Sequence, residues 1–168
     1  LGSLCFDVDF IFVFAGLTGT CIGFDQYREF ITSNELGLLN ILDRHRDSNS
    51  SARIVFPSTR LVYKGLKDTP LNESSEKEAR TIYAQTKLAC EGYLEMYQNN
   101  FGVDYTVFRI CVPYGNAIDE IYSYGTIGYF LNRATSGKNI VLYGDGSVKR
   151  TFTHAEDITR SIIAAVNI

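Results

Sequence analysis

Five apolar residues in a row, Phe10-Ile11-Phe12-Val13-Phe14, set between Asp9 and Gly16, constrain the fold more than any other stretch. A half-buried strand alternates apolar with polar, and an amphipathic helix leaves a polar stripe; this run does neither. It predicts a short strand buried on both faces, the habit of parallel sheets covered by helices. Arg53-Ile54-Val55-Phe56-Pro57 repeats the pattern until Pro57 stops it, and Asp104–Ile110 (DYTVFRI) gives a third strand ended by Pro113 and Gly115. Between the strands the period changes. Phe24 to Arg46 reads as helix, with Leu38, Leu39 and Leu42 on one face and basic residues at its end. Lys64 to Ser75 reads as a polar loop, and Glu76 to Asn100 as the longest helix. The order βαβαβ predicts an α/β fold with a doubly wound parallel sheet.

After Tyr114 the alternation stops. Tyr129 to Ser136 reads as helix, Asn139–Tyr143 as a strand, Asp145-Gly146 as a turn and Ala155 to Val166 as a closing amphipathic helix. This part is expected to be an appended substrate-binding region rather than more sheet. At 168 residues the chain is about one domain. Lys plus Arg number 16 and Asp plus Glu 19, a net charge of −3 that gives no reason to expect nucleic acid as partner. Cys5, Cys21, Cys90 and Cys111 form no CxxC pair, and His45 and His154 are the only histidines. No metal site or disulfide framework is expected, and free thiols fit a cytosolic protein. The Phe10–Phe14 run is too short to span a bilayer, and the acidic Asp7 and Asp9 do not make a basic signal-peptide start. The expectation is a soluble cytoplasmic protein with no membrane partner.

Tyr83 and Lys87 stand four apart on the longest helix, so they project from one face. A phenol has a reference pKa of about 10, and a nearby ammonium lowers it by stabilising the phenolate. Such a pair can exchange a proton with a substrate hydroxyl while a hydride moves. The segment Phe56-Pro57-Ser58-Thr59-Arg60-Leu61-Val62-Tyr63 sets hydroxyls just past the end of a buried strand, the edge where doubly wound sheets bind ligands. Read by themselves, Ser58 and Thr59 also fit a turn cap. A strand-end hydroxyl about two dozen residues ahead of a Tyr-x-x-x-Lys helix is rarer than either part.

The combination resembles the extended short-chain dehydrogenase/reductases of the NAD-dependent epimerase/dehydratase kind, most of all the UDP-glucose 4-epimerases. The resemblance runs from about Asp7 to the end of the chain. It implies a Rossmann-like fold, NAD as cofactor, a nucleotide-sugar substrate and a homodimer through the long helices. Phe14-Ala15-Gly16-Leu17, with Thr18, resembles the loop that lies along the cofactor, and Asn34 the asparagine that is both structural and cofactor-contacting. Thr59, four before Tyr63, takes the place of the catalytic Ser/Thr that also touches substrate; Tyr83 and Lys87 take the catalytic and cofactor-binding YxxxK places. Arg109–Gly115 (RICVPYG) resembles the strand whose end borders the nicotinamide, which implies Cys111 for cofactor and Val112 for substrate. Gly144 to Asp157 resembles a stretch whose arginine grips the nucleotide diphosphate, which implies that role for Arg150.

The family's glycine-rich dinucleotide fingerprint is missing from its usual place. Gly16, Gly19 and Gly23 follow a strand, but Gly16 and Thr59 are spaced as the later cofactor loop and the catalytic hydroxyl are. The sheet is therefore expected to be incomplete at the N-terminus. Residues 1–115 read as the C-terminal part of the cofactor-binding domain, and 116–168 as part of the substrate-binding region with a return helix. A chain so composed is expected to be inactive alone. Arg60 and Leu61 stand where 4,6-dehydratases carry Asp-Glu, which disfavours dehydration, and Val112 stands where epimerases often carry Asn. The implied reaction is epimerisation at C4: Tyr83 takes the 4-hydroxyl proton, hydride passes to NAD, the keto sugar turns over and hydride returns. A one-way NAD(P)H-dependent reductase of a keto nucleotide sugar uses the same residues, and a non-catalytic relative keeps the fold.

Overall fold

The computed structural model describes residues 6–66, 68–115, 125–142 and 144–166. Cys5, Tyr143 and the first residues of the expected substrate-binding part (116–124) lie outside them. By its internal contacts the chain divides into two units, Leu1–Arg109 and Ile110–Ile168.

In the first unit, strand β1 (Phe10–Phe12) runs parallel to β2 (Arg53–Thr59), with Phe10 opposite Arg53 and Phe12 opposite Val55. Val13 continues the pairing through a 3.0 Å bond from its N–H to Val55 O. Strand β3 (Tyr105–Ile110) completes the order β1-β2-β3. Central β2 buries Ile54 and Val55 fully, which is why its sequence is an unbroken apolar run. The expected parallel α/β sheet is present, but the expectation that the Phe10–Phe14 strand is buried on both faces is corrected: β1 ends the described sheet, and Phe12 and Phe14 are 48 and 55% exposed.

The segment expected as one helix from Phe24 begins at Tyr27 and changes pitch. Helix α1 (Tyr27–Phe30) passes through a π-helical turn (Ile31–Leu36) into α2 (Gly37–Asp47). Arg44, His45 and Arg46 occupy its last turn, where the helix dipole favours cations. Helix α3 (Ile82–Phe101) starts later than the expected Glu76, because that backbone is already paired. Lys64 N–H bonds Glu76 O at 2.8 Å and Glu78 N–H bonds Val62 O at 2.9 Å. Thr81 then caps the helix by accepting from Ala84 N–H, and Gly102, at φ 69°, ends it in the left-handed conformation that costs glycine least.

Leu38 and Leu42 of α2 and Cys90 and Leu94 of α3 pack on Val13, Ile54, Phe56 and Val103, so both helices cover one face of the sheet. Each such side chain contributes roughly 1.5–3 kcal/mol on burial. Tyr93 and Tyr97 of α3 donate to Glu35 and Asp43 at 2.8 and 2.6 Å, adding a polar edge to the same helix pair.

In the second unit, β4 (Val112–Tyr114) pairs in parallel with β5 (Phe152–His154), and α4 (Gly125–Thr135) and α5 (Ala155–Val166) pack near them. Gly115 turns away at φ 92° against the His154 ring, where a Cβ has no room. The strand expected at Asn139–Tyr143 is corrected: 139–142 are irregular, and Ile140, Val141 and Leu142 are 42, 54 and 61% exposed. An apolar run becomes strand only where a partner strand takes its N–H and C=O groups, and none among the described residues does. The turn at Asp145-Gly146 is present, held by Asp145 accepting from Ser147 N–H and Oγ–H. Among the described residues no helix is long and apolar enough to cross a membrane.

Candidate active site

Helix α3 carries the candidate chemistry on its first two turns. Lys87 is only 6% exposed, and its Nζ sits 4.5 Å from the centre of the Phe56 ring. That ring face attracts a cation but gives it no hydrogen-bond acceptor. Among the described residues the ammonium donates no hydrogen bond. Burial lowers the Lys87 pKa, opposed by the neighbouring Cys90 thiol; burial pushes that thiol up to about 12. Tyr83 lies one turn earlier, its ring edge-on to Phe30 at 6.5 Å.

Between these two, Thr86 receives a clamp. Asn34 Nδ2 donates to Thr86 Oγ1 at 3.1 Å and to Leu17 O at 3.1 Å, while its Oδ1 accepts Leu17 N–H at 2.7 Å. One 5%-exposed amide therefore joins the loop Phe14–Thr18 to the helix of Tyr83 and Lys87. Thr86 passes the connection on by donating to Tyr83 O at 2.9 Å. Asn34 itself sits in the π-helical turn, the irregularity that frequently marks functional sites. Gly16 is required here by close approach: a Cβ would stand 2.8 Å from Asn34 Oδ1. Both amide hydrogens of Asn34 are spent on the protein, so its side chain holds the loop before it serves any ligand. Phe14, Ala15, Gly16 and Thr18 are exposed along that loop.

Thr59 ends β2, buried, its Oγ1 accepting Leu61 N–H at 3.3 Å to cap a 3₁₀ turn (Arg60–Val62). Its neighbour Ser58, for which the sequence left a strand-end ligand hydroxyl and a turn cap open, does something else. Ser58 Oγ donates to Glu91 of α3, and Arg109 of β3 grips the same carboxylate twice, Nε to Oε1 at 3.0 Å and Nη2 to Oε2 at 2.7 Å. Arg109 Nη1 reaches Tyr63 Oη at 2.6 Å and Glu73 O at 3.1 Å, with its guanidinium over the Tyr63 ring. The bond to Glu91 raises the Arg109 pKa, so the cation is permanent. Sequence reading passed over this network, although an arginine inside the apolar strand Asp104–Ile110 signals a buried partner. Arg60 Nε is buried and unpartnered among the described residues.

The first unit thus holds the Phe14–Thr18 loop, Asn34, Thr59, Tyr83 and Lys87, and Asn34 ties the loop to the helix of Tyr83 and Lys87. The remaining candidates belong to the second. Cys111 is a half-buried free thiol, Val112 opens β4, and Arg150 is exposed with its Nη1 on Lys149 O at 3.0 Å. Cys21 and Cys90 are also free, and among the described residues no group of His, Cys, Asp or Glu is placed to hold a metal.

The chain is similar in sequence and fold to known proteins. A putative UDP-glucose 4-epimerase of Methanocaldococcus jannaschii is 25% identical over 134 residues, covering 80% of this chain and 44% of that protein. The structure of UDP-N-acetylglucosamine 4-epimerase from Methanobrevibacter ruminantium, in complex with UDP-N-acetylmuramic acid, superposes with a TM-score of 0.87 at 26% identity, over 96% of this chain and 52% of that one. A double mutant of DesIV, the dTDP-glucose 4,6-dehydratase of Streptomyces venezuelae with NAD bound, gives 0.82 at 28% identity over 92% and 47%. The chain spans about half the length of the relatives it matches. The model of the NAD dependent epimerase/dehydratase family matches residues 4–168, nearly the whole chain, and this places the protein in that family.

Proposed function

We propose that the full-length protein is an NAD-dependent epimerase of a nucleotide-activated sugar, acting at C4, with Thr59, Tyr83 and Lys87 as its catalytic residues. The observation that carries the reading is Lys87: a residue only 6% exposed whose ammonium makes no hydrogen bond among the described residues, one turn from Tyr83. Burying a charge without an acceptor is costly, so such a group is kept where a ligand supplies the acceptor. The hydroxyls of a nucleotide ribose fit that need, and the exposed Phe14–Thr18 loop, with Gly16 free of a Cβ, fits the flank of a flat dinucleotide. Cys111 completes the proposed cofactor set.

NAD, when bound, supplies the hydride acceptor and donor for the sugar carbon. The protein's own part is the proton. Tyr83 takes it from the 4-hydroxyl and later returns it, assisted by the positive charge of Lys87. Thr59 hydrogen-bonds the same oxygen and fixes the attack geometry. Arg150 and Val112 are assigned to the nucleotide sugar, Arg150 because a guanidinium fork holds two phosphate oxygens at once. Residues 1–115 and 116–168 are read as the cofactor and substrate parts. The resemblance supports a cytoplasmic homodimer, which light scattering on the full-length protein tests.

The deciding experiment incubates that protein with NAD and UDP-sugars and follows both the anomeric NMR signals and absorbance at the NADH band. Interconversion of C4 epimers without net NADH supports the proposal. Stoichiometric loss of added NADH or NADPH replaces it with a one-way reductase, and no turnover with an intact fold leaves a non-catalytic relative.

A further inference from the structure

The Ser58–Glu91–Arg109 network lies next to the proposed catalytic set without belonging to it. Glu91 is on α3 one helical turn beyond Lys87 and two beyond Tyr83, on the same face. Its carboxylate accepts from Ser58, the residue before Thr59, and is held by Arg109 through three N–H contacts. The Glu91 and Arg109 side chains are 10 and 19% exposed. Arg109 also anchors Tyr63 and Glu73, the two ends of the loop that leaves β2. Strand end, following loop and catalytic helix therefore meet at one ion pair.

A fold that needed only stability here would do as well with apolar packing, since replacing a buried ion pair by hydrophobic residues is often neutral or stabilising. What an ion pair adds is direction. The two-pronged guanidinium fixes the carboxylate plane, and the carboxylate fixes the Ser58 hydroxyl. Among the described residues Thr59 has no comparable tether, for its own hydroxyl is engaged there only by Leu61 N–H at 3.3 Å. We propose that Glu91, locked by Arg109, is a positioning residue: through Ser58 it sets where the Thr59 hydroxyl stands relative to Tyr83. The inference rests on the catalytic reading of Thr59 and Tyr83 above. A displacement of 1 Å in a reacting group costs up to about 10²-fold in rate, so a tether of this kind is read in turnover.

The test is a double-mutant cycle in the full-length enzyme with NAD bound, using Ser58→Ala, Thr59→Ala and both together. Glu91 and Arg109 stay intact, so their ion pair is preserved in every variant. UDP-glucose, UDP-N-acetylglucosamine and UDP-glucuronic acid are the probes, and kcat is taken per bound NAD so that unfolded protein does not count. Ser58→Ala is expected to lower kcat on the order of 10-fold with KM within about twofold. In the Thr59→Ala background the same change should have no further effect, because the group it positions is gone. If Ser58→Ala leaves kcat unchanged, or multiplies independently with Thr59→Ala, the network is structural only and the inference fails while the functional reading stands. Should Ser58→Ala not fold, Ser58→Cys, with a weaker donor of similar size, enters the same cycle with the same expected coupling. A folded parent that turns over none of the probes overturns the functional reading and this inference with it.

Discussion

The two units hold their candidate residues in opposite ways. In the first, side chains with little exposure tie the elements of the set together: Asn34 joins loop to helix, and Glu91 joins helix to strand end. In the second, Arg150 is exposed and bonded to the backbone of its own neighbour, after a turn bracketed by Gly144 and Gly146 at positive φ. Chemistry that moves a proton and a hydride tolerates little misplacement, so its residues are preorganised. A residue that grips a diphosphate gains its geometry from the ligand and can wait in water. The contrast teaches which half of the proposed mechanism is prebuilt in this chain and which half needs its ligand.

The comparison breaks most readily at Tyr83. Tyr83→Phe keeps the ring beside Phe30 and removes the proposed proton carrier, so turnover in the full-length protein should fall on the order of 10²-fold or more. Thermal unfolding and bound NAD should stay near the parent. Turnover within a factor of two of the parent would remove Tyr83 from the mechanism, and with it the claim that the first unit is prebuilt for catalysis.

Asn34→Ala tests the preorganisation itself. It leaves the Leu17 N–H and C=O without their partner and takes one donor from Thr86 Oγ1, which keeps its own bond to Tyr83 O; leaving such partners unmet costs about 2 kcal/mol. Equilibrium denaturation should report that loss, and NAD retention should weaken in parallel because the Phe14–Thr18 loop is released. Unchanged denaturation would mean that water replaces the clamp.

Arg150→Ala tests the other side. An exposed guanidinium that meets phosphate only on binding should contribute about 1–2 kcal/mol, roughly tenfold in Kd. Calorimetric titration with UDP should show that loss while stability and NAD affinity hold. Equal UDP affinity in parent and variant would leave Arg150 a surface residue.

The parts legible in the sequence are those with a local physical signature. Apolar runs gave the sheet because β2 is buried on both faces, and the Tyr83–Lys87 spacing gave a helix face. The start of α3 was misplaced because Glu76 to Glu78 is claimed by backbone pairing with Val62 to Lys64, a tertiary event that propensity does not record. Asn139–Tyr143 was misread for the converse reason: β-prone residues had no partner strand. The π-helical turn around Asn34 and the Ser58–Glu91 bond join residues 17 to 52 and 33 positions apart, beyond any sequence window.

The smallest effect, and the one that most sharpens the contrast, belongs to Lys87. Its pKa is lowered in the folded chain because burial penalises the charged form, and Cys90 only partly opposes this. The sign follows from linkage. At pH values below the folded-state pKa both states are protonated, and the folded state carries the full cost of the buried charge. Between that pKa and the ordinary value of 10.5 the unfolded chain binds the extra proton, so stability rises with pH. Above it the penalty is gone. Lys87→Met removes the charge while keeping an unbranched side chain over Phe56, where sulfur–aromatic contact offsets the lost cation–π attraction. The variant should therefore melt higher than the parent at neutral pH. The gap should close as the melts are taken toward pH 10. Activity should move the other way, with weaker NAD binding and a pH optimum displaced upward, since the ammonium no longer favours the Tyr83 phenolate. A variant that melts lower than the parent at every pH would make Lys87 a stabilising core residue, and its burial without an acceptor would no longer point to a ligand.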